Sequence, residues 1–418
     1  MTSSTLPVAA GGDPFGPAML AEPYPHYNRV RDQTPIYWSP FLNSWVLMRY
    51  ADVKAALLDP RLSSALTRTA QIEHLPAHLR ELLVPADSVL GRWLVFQDHA
   101  DHRRLRQLFS AAFTPRIVQQ MRDHIQALTD DLIDAAVERG QMDLVADFAA
   151  PLPVMVITEL LGAPQNDYAL FKHWSGTVGM YFAIGVIGNE TTIPLLNQVT
   201  EQMVAHIGEL VAARRREPRD DLITNLIAAE EQGSRLDETE LIANCILMLH
   251  AGHHSTTATI ASGMWHLLND PEQRELLRTR PELAESAVEE VLRCETAFPM
   301  IVRAANTDLE LGDHTIKAGQ QINVCLAAAN YDPAQFPNPN QFDITRHPNP
   351  HLALSYGPHF CLGAPLARME IAIAFNTLLR RLPDLRLADP SPEWQTSYGM
   401  RALQALPVAW TPERARSR

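Results

Sequence analysis

The stretch LSYGPHFCLGAPLARMEI, residues 354–371, sets one cysteine between a loop rich in turn formers and the start of a helix-like run. A thiolate is both a nucleophile and a soft metal ligand. It is best placed at a helix N-terminus, where unpaired N–H groups and the helix dipole favour negative charge. Cys361 holds that position. Gly357 and Gly363 would let the backbone approach a flat ligand closely, and Pro365 fits a first helical turn that needs no N–H. The same pattern also describes a buried free cysteine, the commoner fate of a lone thiol. The local sequence leaves both readings open.

Composition narrows the choice. The chain has 418 residues, 46% of them hydrophobic, enough for a large core, and no composition break divides it. It reads as a single domain over residues 1–418, with residues 1–12 as a disordered N-terminus. The four cysteines, Cys245, Cys294, Cys325 and Cys361, are widely spaced and contain no C-x-x-C pair. Neither a disulfide framework nor a tetrathiolate metal site is suggested, and a reducing cytoplasm fits best. The start MTSSTLPVAAGGDPFGPAML has no basic opening followed by an apolar run, and no later segment offers about 20 uninterrupted apolar residues. A soluble protein without a membrane anchor is expected. A formal charge of −13 argues against nucleic acid as a bulk partner, because phosphate backbones demand a basic surface.

Along the chain, PIYWSPFLNSWVLMRY reads as a hairpin turning at Leu42, Asn43 and Ser44. Helices then dominate. PRIVQQMRDHIQALTDDLIDAAVERG has apolar residues at three- and four-residue steps between Pro115 and Gly140, the punctuation of an amphipathic helix. Further helices are expected over 154–161 and 201–215. Between them GTVGMYFAIGVIGNE is apolar yet interrupted by Gly176, Gly179, Gly185 and Gly188, and reads either as a greasy lid or as a buried helix end and loop. From Asp237, LDETELIANCILMLHAGHHSTTATIASGMWHLLNDP reads as one long buried helix, opened by an Asp-x-x-Glu capping box and closed by Pro271. It would run roughly 48 Å. MIVRAANTDLELGDHTIKAGQQINVCLAAAN has strand composition with turn signals, which suggests a small antiparallel sheet.

The wider chain decides the reading of Cys361. GPHFCLGAPLAR closely resembles the haem-binding loop of the cytochrome P-450 family, the haem-thiolate monooxygenases. EEVLR supplies a Glu-x-x-Arg pair, Glu290 and Arg293, and ANYDPAQFPNPNQFDITR resembles the segment whose Arg346 completes a buried ion network with them. DHADHRRLRQLFSAAFTPR resembles the helix that crosses one haem face, with His102 and Arg106 toward a propionate, and Arg303 and His359 match the other usual propionate partners. Each motif alone is weak; four in the family's order are specific, and the resemblance spans about residues 13–408. It implies a mainly α fold with small β-sheets and a long central helix across a haem-binding helical domain. It also implies haem b (iron protoporphyrin IX) as cofactor and Cys361 as the axial thiolate, a ligand that favours O–O cleavage.

Two departures from the family pattern stand out. Leu354 and Ser355 occupy positions where the family usually has Phe and then Gly, and Leu354 in place of a shielding Phe bears on water access and redox potential. In the long helix the usual pattern is Ala-Gly, any residue, an acid, then Thr, the acid and alcohol helping to deliver protons during dioxygen activation. Here Ala251 and Gly252 are followed by His253, His254 and Ser255, with Thr256 next. A His254–Ser255 pair is one way to relay protons; the other reading leaves the work to water and Ser255, with His254 satisfying a helix-kink carbonyl.

By resemblance Leu247, His250 and Ala251, Pro299, Met300 and Ile301, and Met400 line the distal pocket, with Trp93 and Phe96 closing it. These residues are largely apolar, which suits a lipophilic small-molecule substrate, free or tethered to a carrier protein, with His250 as a hydrogen-bond partner. Electrons must come from outside, from ferredoxin and ferredoxin reductase, with Arg103, Arg104, Arg106 and Arg116 as a basic dock. The function implied is hydroxylation or epoxidation in secondary metabolism, of a polyketide, peptide or terpenoid. Two alternatives stand beside it: a metalloenzyme ligated by His250, His253 and His254, and a noncatalytic relative assisting a partner enzyme.

Overall fold

The computed structural model describes residues 13–16, 19, 20, 22–231, 236–395, 397, 399–415 and 417. The expected disordered N-terminus, residues 1–12, lies outside them. The chain forms two compact units, one of residues 1–67, 262–361 and 390–405, the other of residues 68–261, 362–389 and 406–418.

The first unit is built on a five-stranded sheet ordered Ile36–Ser39, Ser44–Leu47, Gln321–Cys325, Met300–Ala305, Leu62–Ser63. The first two strands form the expected hairpin, but Ser44 already pairs with Ser39 as a strand residue. The turn therefore lies over 40–43, with Asn43 in the left-handed region (φ 46°) that Asn tolerates. Met300 faces Cys325 in an antiparallel pair, as the strand-rich composition suggests, while Trp45 pairs with Ile322 in parallel. Leu309–Leu311 and His314–Ile316 form a separate hairpin. Side chains alternate between two cores. Leu47, Ile322 and Val324 pack with Val53 and Phe336, whereas Val46 and Cys325 pack with Phe15 and Tyr27.

The second unit is mainly helical, with a small sheet of Gln141–Asp143, Arg386–Leu387 and Pro407–Ala409. The amphipathic stretch after Thr114 is helical as Pro115–Gln120 and Arg122–Asp134, and Gly140 turns left-handed (φ 68°) beyond it. Pro151–Leu160 and Thr192–Arg216 supply the further helices expected there. The glycine-interrupted stretch is neither one rigid element nor open loop. It continues the helix Tyr168–Gly179 as a tight turn, Met180–Ala183, and a short helix, Ile184–Ile187.

The long central run needs a correction. Asp237 and Glu240 form the expected capping box, and helix Glu238–Ala251 follows, but Gly252 and His253 interrupt it before His254–Asn269. The composition explains the break. Glycine is a weak helix former, and hydroxyl side chains compete for backbone carbonyls: Ser255 Oγ donates to Ala251 O (3.3 Å), Thr257 Oγ1 to His253 O (3.1 Å) and Thr259 Oγ1 to Ser255 O (2.9 Å). Among the described residues no helix is long and apolar enough to cross a membrane.

Candidate functional site

Of the four cysteines only Cys361 is not buried. Burial pushes the thiols of Cys245 and Cys325 up to about 12 and that of Cys294 further up, so none of these three supplies a thiolate near neutral pH. Cys361 sits on a pinned loop. Its backbone N–H donates to Leu354 O (2.9 Å), and Phe360 N–H donates to Gly357 O (3.0 Å). Two residues bend the loop with left-handed backbone, Ser355 (φ 64°) and Gly357 (φ 74°). At Gly357 the positive φ favours glycine; an added Cβ would also meet the tip of the exposed Leu58 side chain, which can move aside. His359 closes the short turn Gly357–His359, two residues before the cysteine.

Behind this loop, within the same unit, lies the acid–arginine network. Glu290 and Arg293 are both fully buried (0%) on helix Ala284–Cys294. Arg293 donates through Nη2 and Nε to the two carboxylate oxygens (2.8 and 2.9 Å), and Arg346 Nε reaches Oε2 (3.1 Å). Asp343 N–H and Asn349 Nδ2 add further donors at 3.0 Å. All three residues expected to form the network are thus in it, and Asn349, which the motif does not reveal, joins them.

Pro299, Met300 and Ile301 lead into the strand that carries Arg303, which is buried and donates to Val302 O (2.9 Å). Met400 is half-buried, and its neighbour Arg401 donates its N–H to Ala297 O (2.8 Å), bringing that segment beside Pro299.

The second unit carries the remaining expected residues. His250 (8% exposed) is held by a hydrogen bond from Nδ1 to the Ser175 carbonyl oxygen (2.9 Å). Trp93 (0% exposed) lies parallel to it at 6.0 Å, and Phe96 stacks on Trp93 at the same centroid distance. Three residues of this cluster were not singled out by sequence. Phe182 lies 5.5 Å from His250. Tyr181 meets Trp93 edge-on at 5.9 Å and bonds the Asp87 carboxylate. Asn244 accepts from Leu94 N–H (2.7 Å) and donates to Arg92 O (3.2 Å), fixing the backbone on both sides of Trp93. Their only sequence signal was an asparagine in an apolar helix and aromatics in a glycine-broken run.

At the helix break Ala251 is exposed, Leu247, His253 and Thr256 are buried, and Gly252, His254 and Ser255 are half-buried. The ring of His254 lies 4.2 Å from that of His253 and 5.3 Å from that of His250. Burial, then the neighbouring imidazoles, push His250 down to about 4 and His253 to about 2; burial also lowers His254, opposed by the Ser175 carbonyl. All three are neutral near pH 7. His254 Nε2 and His253 Nδ1 are buried without a hydrogen-bond partner. The rings are tilted against one another, by 53° for His250 and His254 and 35° for His253 and His254, and among the described residues no group of three or more His, Cys, Asp or Glu is placed to hold a metal ion. The three-histidine metal site therefore finds no ligand set.

His102 is buried and Arg106 half-buried on helix His99–Ala112. Arg104, counted with the basic dock, is instead paired with Glu240 (3.0 and 2.6 Å), while Arg103 and Arg116 are exposed. Gly363 is the N-cap of helix Ala364–Arg381 with φ −78° and ψ 2°, a negative φ that does not demand glycine, so what it offers a ligand is the lack of a side chain.

The comparisons with known proteins match this geometry. The Cytochrome P450 family model matches residues 189–383. The chain is 37% identical over 399 residues to the biotin biosynthesis cytochrome P450 of Bacillus subtilis (strain 168), covering 94% of this chain and 97% of that one. The chain belongs to the cytochrome P450 family. It is also 39% identical over 375 residues to the mycinamicin IV hydroxylase/epoxidase of Micromonospora griseorubida, covering 88% and 89% of the two chains. The crystal structure of P450BioI in complex with hexadec-9Z-enoic acid ligated acyl carrier protein aligns with a TM-score of 0.86 at 36% identity, over 94% of this P450 and 99% of that chain. This P450 is accordingly a haem-dependent, oxygen-incorporating oxidoreductase. Its donor set fits the group: one accessible cysteine on a hydrogen-bonded loop, and three other thiols held protonated.

Proposed function

We propose that this P450 hydroxylates or epoxidises a lipophilic small molecule of secondary metabolism, a polyketide, peptide or terpenoid. The observation that carries the reading is Cys361, the one cysteine not buried, fixed by its N–H to Leu354 O. Bound haem b supplies the activation of dioxygen. The absence of any C-x-x-C pair in the sequence favours haem held without thioether bonds. Cys361 is its thiolate ligand, His102, Arg106, Arg303 and His359 receive the propionates, and Gly363 gives the backbone room.

His254, Ser255 and Thr256, beside Ala251 and Gly252, handle protons. Ser255 donates its hydroxyl hydrogen to Ala251 O, which leaves its oxygen able to accept, and the buried, unpartnered Nε2 of half-buried His254 is the neighbouring station. If His254 relays protons, His254→Ala lowers product formed per NADPH consumed; an unchanged ratio assigns the work to Ser255 and water.

In the second unit Leu247, His250, Trp93 and Phe96 meet substrate; in the first, Pro299, Met300, Ile301 and Met400 have that role. We read the two compact units as one functional domain, in a cytoplasmic protein that receives electrons from ferredoxin and ferredoxin reductase. Arg103 and Arg116 are exposed for such a dock, and Arg104 is occupied by Glu240. The acyl carrier protein bound by one structural relative makes a carrier-tethered substrate a specific alternative to a free one.

The reduced carbon monoxide spectrum tests the core of the proposal. Wild type gives the red-shifted haem band of a thiolate ligand and Cys361→Ser loses it; the same band in the variant refutes the assignment. Titration with lipophilic compounds, free and carrier-bound, then identifies the substrate form by the low-spin to high-spin shift.

A further inference from the structure

Residues 346–356, the approach to the cysteine loop, belong to no helix or strand, so single hydrogen bonds locate their backbone. His351 supplies one of them. Its side chain is only 2% exposed, and both ring nitrogens are engaged. Nδ1 accepts the Ala353 N–H (3.3 Å), and Nε2 lies 3.1 Å from Glu289 Oε2. A backbone N–H can only donate, so Nδ1 is bare; Nε2 carries the ring proton and donates it to the carboxylate. Glu289 thus selects the tautomer that can receive Ala353.

The anchor is continuous with Cys361. Beside it Leu352 N–H donates to Asn330 Oδ1 (2.8 Å), Ser355 N–H donates to Leu352 O (2.8 Å), and Cys361 N–H donates to Leu354 O (2.9 Å). Upstream, Asn349 Nδ2 donates to Glu290 Oε2 (3.0 Å). Adjacent glutamates of helix Ala284–Cys294 therefore have separate tasks. Glu290 closes the ion network with Arg293 and Arg346, and Glu289 reaches the loop through His351.

We propose that His351, its tautomer held by Glu289, is a positioning residue for the Cys361 thiolate. It fixes Ala353 and with it Leu354, so that the Leu354 carbonyl oxygen stands where the Cys361 N–H meets it. Groups that orient a ligand from behind govern how firmly that ligand holds. The inference rests on the reading of Cys361 as the haem ligand and adds the pair that aligns it.

The test follows the reduced carbon monoxide complex of the haem-loaded protein over time, in urea too dilute to alter the far-ultraviolet spectrum. There the red-shifted thiolate band gives way to that of haem without its thiolate, while the fold stays intact. His351→Leu and Glu289→Leu are each expected to hasten the loss about tenfold. His351→Asn puts an oxygen near the place of Nδ1, accepts the Ala353 N–H and has no tautomer to select. It is expected to stay within about threefold of wild type, and Glu289→Leu added to it to change little further. An unaltered rate in His351→Leu, no rescue by His351→Asn, or a full effect of Glu289→Leu in the Asn background overturns the inference. Nitrogen-15 spectra of the histidine-labelled carbon monoxide complex, assigned by His351→Asn, must show Nε2 protonated; protonated Nδ1 also overturns it. If His351→Leu does not fold, the Glu289→Leu comparisons and these spectra decide. A wild type without the thiolate band refutes the haem-ligand reading and this inference with it, whereas a wild-type band whose lifetime no variant shortens refutes the inference alone.

Discussion

The backbone N–H of Cys361 donates to the carbonyl oxygen of Leu354 across 2.9 Å, so the cysteine is positioned by the loop that precedes it. Ser355 is the strained member of that loop. It holds φ 64°, which costs an L residue about 1–2 kcal/mol, and its hydroxyl is buried without a partner. Ser355→Gly relieves both, against a smaller entropic cost in the unfolded chain. A gain of about 1 kcal/mol is expected, read as a higher urea midpoint; a lower midpoint contradicts this account.

Glu290 is a buried carboxylate shared by Arg293 and Arg346. Glu290→Gln keeps the shape and removes the charge, leaving buried Arg293 without its counter-ion. The expected loss is about 3–5 kcal/mol in chemical denaturation, with haem content falling in parallel. A variant as stable as wild type would show that the carbonyl acceptors around Arg293, those of Asn330, Pro339 and Gln341, suffice alone.

These two sites also show what sequence makes legible. Glu-x-x-Arg and its distant arginine are short patterns whose chemistry fixes their geometry, and the Glu290–Arg293–Arg346 contacts they imply are present. The central run reads as one helix because its apolar pattern does not change at Gly252; the break comes from hydroxyl groups competing for carbonyls, which periodicity does not register. Arg104 reads as a surface cation because its partner, Glu240, lies 136 residues away. Asn244, Gly179 and Ser175 carry no motif at all; their roles come from a side-chain amide, an absent Cβ and a backbone carbonyl that folding brings to Trp93 and His250.

Asn244 provides the third prediction. It is fully buried and satisfies both Leu94 N–H and Arg92 O. Asn244→Leu strands a buried donor and an acceptor, a cost of about 2–3 kcal/mol. Because those groups flank Trp93, tryptophan emission is expected to shift to the red as the loop loosens, and an unshifted spectrum with full stability would count against this pinning.

Glu370 lies on helix Ala364–Arg381, and burial holds its carboxyl well above the usual carboxylate range, with Oε2 unpartnered. The folded state keeps the proton that the unfolded state loses, so stability is fully present below the ordinary pKa and declines as pH rises. Glu370→Gln is neutral throughout. Its stability relative to wild type should therefore increase from pH 5 to pH 8, measured by paired urea titrations; a constant difference would mean that Glu370 is ionised in the fold.

His250 gives the opposite slope. Its folded pKa, about 4, lies below the ordinary 6.5, because burial and then His254 disfavour the imidazolium. Above pH 6.5 both states are neutral and no stability is lost. As pH falls from 6.5 toward 4 the unfolded chain takes up a proton that the fold refuses, and the wild type loses up to about 3 kcal/mol at this position. His250→Phe lacks the titrating ring, although His253 and His254 remain. Its stability relative to wild type should therefore rise as pH falls through this window and stay level above pH 7. A difference that stays level down to pH 4 would mean that the ring titrates normally, and would place water, instead of Trp93 and Phe182, against its faces.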